Sequence, residues 1–263
     1  MNHFDNPRNI IIAIVVIVIL IIVFIGSFKN RQFHLNKFFI SIIFLFILPG
    51  LLLLFINEVR SLVHDYKTFQ FIFWGMLLGI GFTYLLKRFV GFSTFEHELT
   101  HAFVALLFFN RITKFVVTRW DGGYVNYRGG LPGWLFEYLI GLAPYFLPTF
   151  VFVFVMIRPF LGSVVFPYYD IWIGMWLTFY FSTYLSEIRQ STTKTKFRLA
   201  GSNTWAQSDI AEEGYIFSFI FILAMSLLNY GIIFNVIQHD YKDFLAYLGG
   251  IFKESYFFYK SIF

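Results

Sequence analysis

Apolar residues fall along this chain in long blocks, without the alternation of a half-buried strand or the stripe of a surface helix. Ile10 to Ile25 contains no polar side chain, and further blocks recur. The whole set lies at about 9–27, 38–57, 68–86, 92–110, 134–157, 163–186 and 214–237. Roughly 18 or more mostly apolar residues form a helix long enough to cross a ~30 Å hydrocarbon core. A lipid-exposed backbone must satisfy its own hydrogen bonds, so such blocks predict helices. The expected fold is an all-α polytopic membrane protein with about six to seven transmembrane helices. The first block is longer than the ~7–15 apolar residues of a signal peptide, and no small-x-small pattern follows Gly26–Ser27. It reads as an anchor that stays.

The polar intervals add detail. Lys114 to Gly130 holds two short aromatic and β-branched runs around Asp121–Gly122–Gly123, which predicts a small embedded β-hairpin. The interval at about 187–209 is rich in Ser and Thr and ends in Gln207–Ser208–Asp209. From Asp240 onward, Lys, Glu, Tyr and Phe mix around Gly249–Gly250, as in an interfacial amphipathic stretch. The longest polar interval, about 20 residues, is too short for a PDZ-sized insert. The expected organisation is N-terminal transmembrane helices over 1–90, a membrane core over 91–237 and an interfacial tail over 238–263.

Composition supports the membrane assignment: 58% of the 263 residues are hydrophobic and 13% charged, which excludes an ordinary soluble domain. The net charge of +5 reads as loop orientation and contact with anionic lipid, not nucleic-acid binding. Lys29, Arg31 and Lys37 place the first loop in the cytoplasm. Positive residues also mark the hairpin (Arg111, Lys114, Arg119, Arg128) and the stretch Arg189, Lys194, Lys196, Arg198. All these loops share the cytoplasmic side if 92–110 dips into the membrane and returns. The expected location is the bacterial inner (cytoplasmic) membrane. Without cysteine, disulfides and thiolate metal sites are excluded, and His and carboxylates are the strong ligands that remain.

One motif carries chemistry. His97–Glu98–Leu99–Thr100–His101 matches HExxH. Residues i and i+4 share a helix face, so both imidazoles can meet one zinc ion with Glu98 beside it as general base. A satisfied polar cluster is the plain alternative. However, a charge deep in a bilayer costs roughly 2.5–3.5 kcal/mol or more, and such groups persist when a partner or metal satisfies them. A catalytic zinc takes three protein ligands and leaves one position open for water. Asp209 is the first choice for the third ligand, although Asp209 with Glu212 also resembles a helix-capping pair. Glu187 and then Glu137 follow. His3, His34, His64 and His239 lie in loops or termini and read as solvated.

A membrane-embedded HExxH, a hairpin, a broken apolar helix and a later Asp together resemble the site-2 protease family of intramembrane metalloproteases. The resemblance covers roughly residues 91–236. QSDIAEEGYIFSFIF looks like the Asp segment of compact bacterial members without a PDZ domain, though the usual NPDG or LDG setting is missing. The resemblance implies His97, His101 and Asp209 as zinc ligands and Glu98 as catalytic base. It also implies transmembrane proteins as substrates.

Pro144 and Pro148 interrupt the segment Gly141–Pro148 and free carbonyls that must face protein or water. A water route near the metal and a kink absorbed by packing are both open readings. Three rival functions are considered. An iron oxygenase needs more His boxes than one. A prenyl-protein-type HExxH…Glu protease would use Glu187. A non-catalytic scaffold would keep a structural metal or none.

Overall fold

The fold is that of a computed structural model, which describes residues 35–88, 91–118, 122–131, 133–162, 165–193, 196–198, 205–207, 209–239 and 243–262. The first apolar block, 9–27, lies outside them. The described elements are α1 (Leu35–His64), α2 (Tyr66–Arg88), α3 (Phe92–Leu107), β1 (Asn110–Val117), β2 (Gly123–Gly129) and α4 (Trp134–Gly141). A 3-10 turn at Ala143–Tyr145 leads to α5 (Thr149–Ile157) and α6 (Phe166–Thr193). There follow β3 (Lys196–Arg198), β4 (Trp205–Gln207), α7 (Asp209–Glu213), α8 (Tyr215–His239) and α9 (Phe244–Ile262). Among them, α1, Tyr66–Leu86 of α2 and α8 are long and apolar enough to cross a membrane. The chain divides into two compact units, one of Met1–Ser61 with Gly214–Phe263 and one of Leu62–Glu213.

In the first unit, α9 shows why its sequence alternates apolar and charged residues. Tyr247, Ile251, Ser255 and Tyr259 recur every four residues and so share one face. Tyr247 and Ile251 are buried with Leu51 and Ala224, while Leu245, Phe252 and Tyr256 are exposed. Gly50 of α1 lets α9 approach: a Cβ there would collide with the Ile251 carbonyl and the Ser255 hydroxyl. Pro49, inside α1, has no N–H for the carbonyl of Leu45, and that carbonyl accepts a hydrogen bond from the Tyr259 hydroxyl at 3.1 Å. Near the other end of α1, Glu58 accepts bonds from Asn235 Nδ2 (3.1 Å) and Gln238 Nε2 (3.2 Å).

The second unit is framed by α2 and α6. Gly75, Gly79 and Gly174 bring the two backbones together, because a Cβ at any of them would meet the facing helix. Small residues at such contacts are how helices pack where lipid supplies no hydrophobic drive. Thr178 adds a hydrogen bond to the Met76 carbonyl at 3.0 Å. Arg158 and Asp170, both buried, form a bidentate pair at 2.7 and 3.1 Å that ties the end of α5 to α6.

α3 is shorter than the apolar block from which it arises. Its 16 residues make a rod of about 24 Å at ~1.5 Å per residue, short of a full crossing. Phe109, at φ 61, turns the chain, and Asn110 already belongs to β1. β1 and β2 pair antiparallel from Asn110↔Gly129 to Val117↔Gly123, with a bulge between Ile112 and Lys114. Gly122, at φ 80, occupies the left-handed region that the predicted turn needs; Asp121 lies outside the described residues. A second two-stranded pair, β3 with β4, was not expected in the Ser/Thr-rich interval. The block at 134–157 is two helices, α4 and α5, separated at the prolines.

Candidate metal centre

His97 and His101 lie one turn apart on α3, and their Nε2 atoms are 3.2 Å from each other. Asp209, the first residue of α7, brings Oδ2 to 3.4 Å from His97 Nε2 and 3.7 Å from His101 Nε2. Among the described residues, these three form the His/carboxylate group whose ligand atoms lie within 4.8 Å of one another. Glu137 is exposed on α4 and outside the group. Glu187 is carried by α6, with its side chain outside the described residues. His64 and His239 are exposed, and His3 and His34 lie outside the described residues.

The donor set fits zinc. A tetrahedral ion with bonds of ~2.0–2.1 Å holds its ligand atoms about 3.3–3.4 Å apart, and the observed separations bracket that value. His101 Nδ1 lies 2.7 Å from the carbonyl oxygen of Ile140. A carbonyl can only accept, so Nδ1 carries the proton and the Nε2 lone pair of the neutral ring points at the shared centre. A second hydrogen bond of this type fixes ring orientation and tautomer at metal sites.

The Ile140 carbonyl is available for a reason written in the sequence. Its helical partner would be the N–H of residue 144, and Pro144 has none. The same displacement recurs one turn on. Pro148 cannot bond the Pro144 carbonyl, which instead accepts from the Tyr180 hydroxyl at 2.9 Å. The connector between α4 and α5 thus presents its freed acceptors to side chains. It is also joined to the motif helix: Thr100, fully buried, bonds the Glu96 carbonyl at 2.9 Å and meets the Thr149 hydroxyl at 2.7 Å.

Glu98 is buried on α3 against the start of β2. A Cβ on Gly123 would come within 2.6 Å of Glu98 Cγ and 2.7 Å of the Val116 carbonyl. Glycine at that position therefore lets the hairpin close over the glutamate. The sequence marked Gly123 as a turn residue; its approach to Glu98 was not legible. Tyr145 was also missed. Its hydroxyl donates to Asp209 Oδ2 at 3.3 Å, and its ring stands edge-on to His97 with centroids 5.6 Å apart.

Two imidazoles and a carboxylate around one point, with a glutamate next to the first imidazole, are a donor set that could hold one metal ion. A family model described as Peptidase M50B-like matches residues 68–243, more than half of the chain. The chain belongs to this family of peptidases, and so to the site-2 proteases that its motif resembles. No curated protein and no solved structure matches it.

Proposed function

We propose that the protein is a zinc-dependent endopeptidase that cleaves transmembrane protein substrates within the bilayer. His97, His101 and Asp209 hold the metal and Glu98 is the catalytic base. The observation that carries this reading is the convergence of the three donor atoms at 3.2–3.7 Å, inside the span matched by the peptidase family. A bound zinc supplies a Lewis acid and a water of lowered pKa. Glu98 would accept the proton of the attacking water and pass it to the leaving amine, which balances the hydrolysis without a further acid. Asp209 contributes the negative charge that two neutral imidazoles lack. The chain is read as a multi-pass protein of six to seven spans in the bacterial cytoplasmic membrane, with its positive loops on the cytoplasmic side.

The test compares membrane proteins in cells carrying either the native chain or Glu98→Gln. The amide keeps the shape of the side chain but cannot accept the proton. We expect the variant to retain about one zinc per chain while cleavage falls by at least about 100-fold, so that uncleaved membrane substrates accumulate. Cleavage near the native rate would remove Glu98 from the mechanism. A native chain that binds zinc and leaves no substrate cleaved would favour a non-catalytic scaffold.

A further inference from the structure

The three proposed ligands are not equally secured. His97 and His101 sit in the middle of α3, with side chains 17% and 12% exposed. Asp209 opens a helix of five residues and is 30% exposed. A carboxylate that rotates about its side-chain torsions presents either oxygen, or neither, to the centre. A donor on one oxygen removes that freedom. Tyr145 supplies it, on the same Oδ2 that faces both imidazoles. The tyrosine is buried, and its own place is set by the connector: its N–H bonds the Leu142 carbonyl at 3.1 Å, and the preceding Pro144 carbonyl is held by Tyr180. Its ring, at 85° to the His97 imidazole, also limits how that ring can turn.

We propose that Tyr145 is a positioning residue of the metal centre, whose hydroxyl aims Asp209 Oδ2 and whose ring steadies His97. This rests on the reading of His97, His101 and Asp209 as ligands. Together with the Ile140 carbonyl on His101, it makes the end of α4 and the proline-broken connector after it the segment that touches all three. That is a role distinct from a water route or a passive kink.

The test titrates the purified full-length chain in micelles with zinc against a chelating dye. It uses the native protein, Tyr145→Phe, Tyr145→His, Tyr180→Phe and His101→Ala. Tyr145→Phe is expected to weaken zinc binding roughly 10–100-fold, the usual cost of losing a partner of a metal ligand, and to shift the visible absorption of the cobalt-loaded protein. Tyr180→Phe removes the phenol hydroxyl that bonds the Pro144 carbonyl and does not reach Asp209, and its loss should be clearly smaller. Tyr145→His keeps a ring with a donor and should retain more affinity than Tyr145→Phe. Native affinity and cobalt spectrum in Tyr145→Phe, a loss matched by Tyr180→Phe, or histidine binding no better than phenylalanine would each overturn the assignment. His101→Ala separates the two levels. If it binds zinc like the native chain, the ligand reading fails and the role of Tyr145 with it. If it loses zinc and Tyr145→Phe does not, Tyr145 alone falls.

Discussion

Pro49 in α1 and Pro144 after α4 pose the same problem in the two units. Each lacks the N–H that would bond the carbonyl four residues earlier in a continuous helix, and in each case a side chain bonds that carbonyl. At Pro49 the Leu45 carbonyl is taken by the Tyr259 hydroxyl, a phenol on a packing helix. At Pro144 the Ile140 carbonyl is taken by Nδ1 of His101. The first solution closes an account within the packing of α1 and α9. The second fixes the tautomer of a proposed metal ligand. A proline break therefore becomes part of the proposed metal centre through the group that answers it.

The comparison is tested most severely at the ligand charge. Asp209→Asn keeps a helix-starting side chain, since Asn caps about as well as Asp, but offers a far poorer zinc ligand. The variant is expected to be folded, zinc-poor and inactive, whereas Glu187→Ala retains metal and activity. Metal analysis and circular dichroism of both variants check this, and the opposite pattern would move the site to a Glu ligand.

A smaller effect separates the two prolines. Pro144→Ala returns an N–H that competes with His101 for the Ile140 carbonyl, and zinc affinity should fall by roughly tenfold, the lower end for loss of a second partner. Pro49→Ala makes the matching change in α1 and should leave zinc affinity at the native value. Equal affinities for the two variants in a chelator titration would erase the distinction. The smallest effect belongs to Tyr259→Phe. Its loss of one hydrogen bond should cost about 0.5–1.5 kcal/mol, read as a modest fall in melting temperature with zinc binding intact.

Parts of this were legible because they depend on local spacing. Pro144 and Pro148 announced a break in the 134–157 block, and α4 and α5 end and begin around it. Gly122 announced the hairpin turn. The β3–β4 pair was not legible, because three-residue strands give too little alternation to stand out in a polar stretch. The four-residue repeat of α9 was present as Tyr247, Ile251, Ser255 and Tyr259, but an amphipathic helix reads alike whether its apolar face meets lipid or another helix.

The sequence by itself determined that the chain is membrane-embedded and helical, because apolar runs of that length have no other stable solvent. It also determined that His97 and His101 share a face, because 3.6 residues per turn allows nothing else at i and i+4. Only the tertiary structure brings Asp209 to the imidazoles and leaves Glu137 exposed outside that group. It alone decided that the acceptor freed by Pro144 faces His101, that Gly123 lies against Glu98 and that Tyr145 reaches Asp209. These are contacts between elements far apart in the chain. Local propensity sets which groups each element offers, and the packing of one element against another sets which of those groups meet.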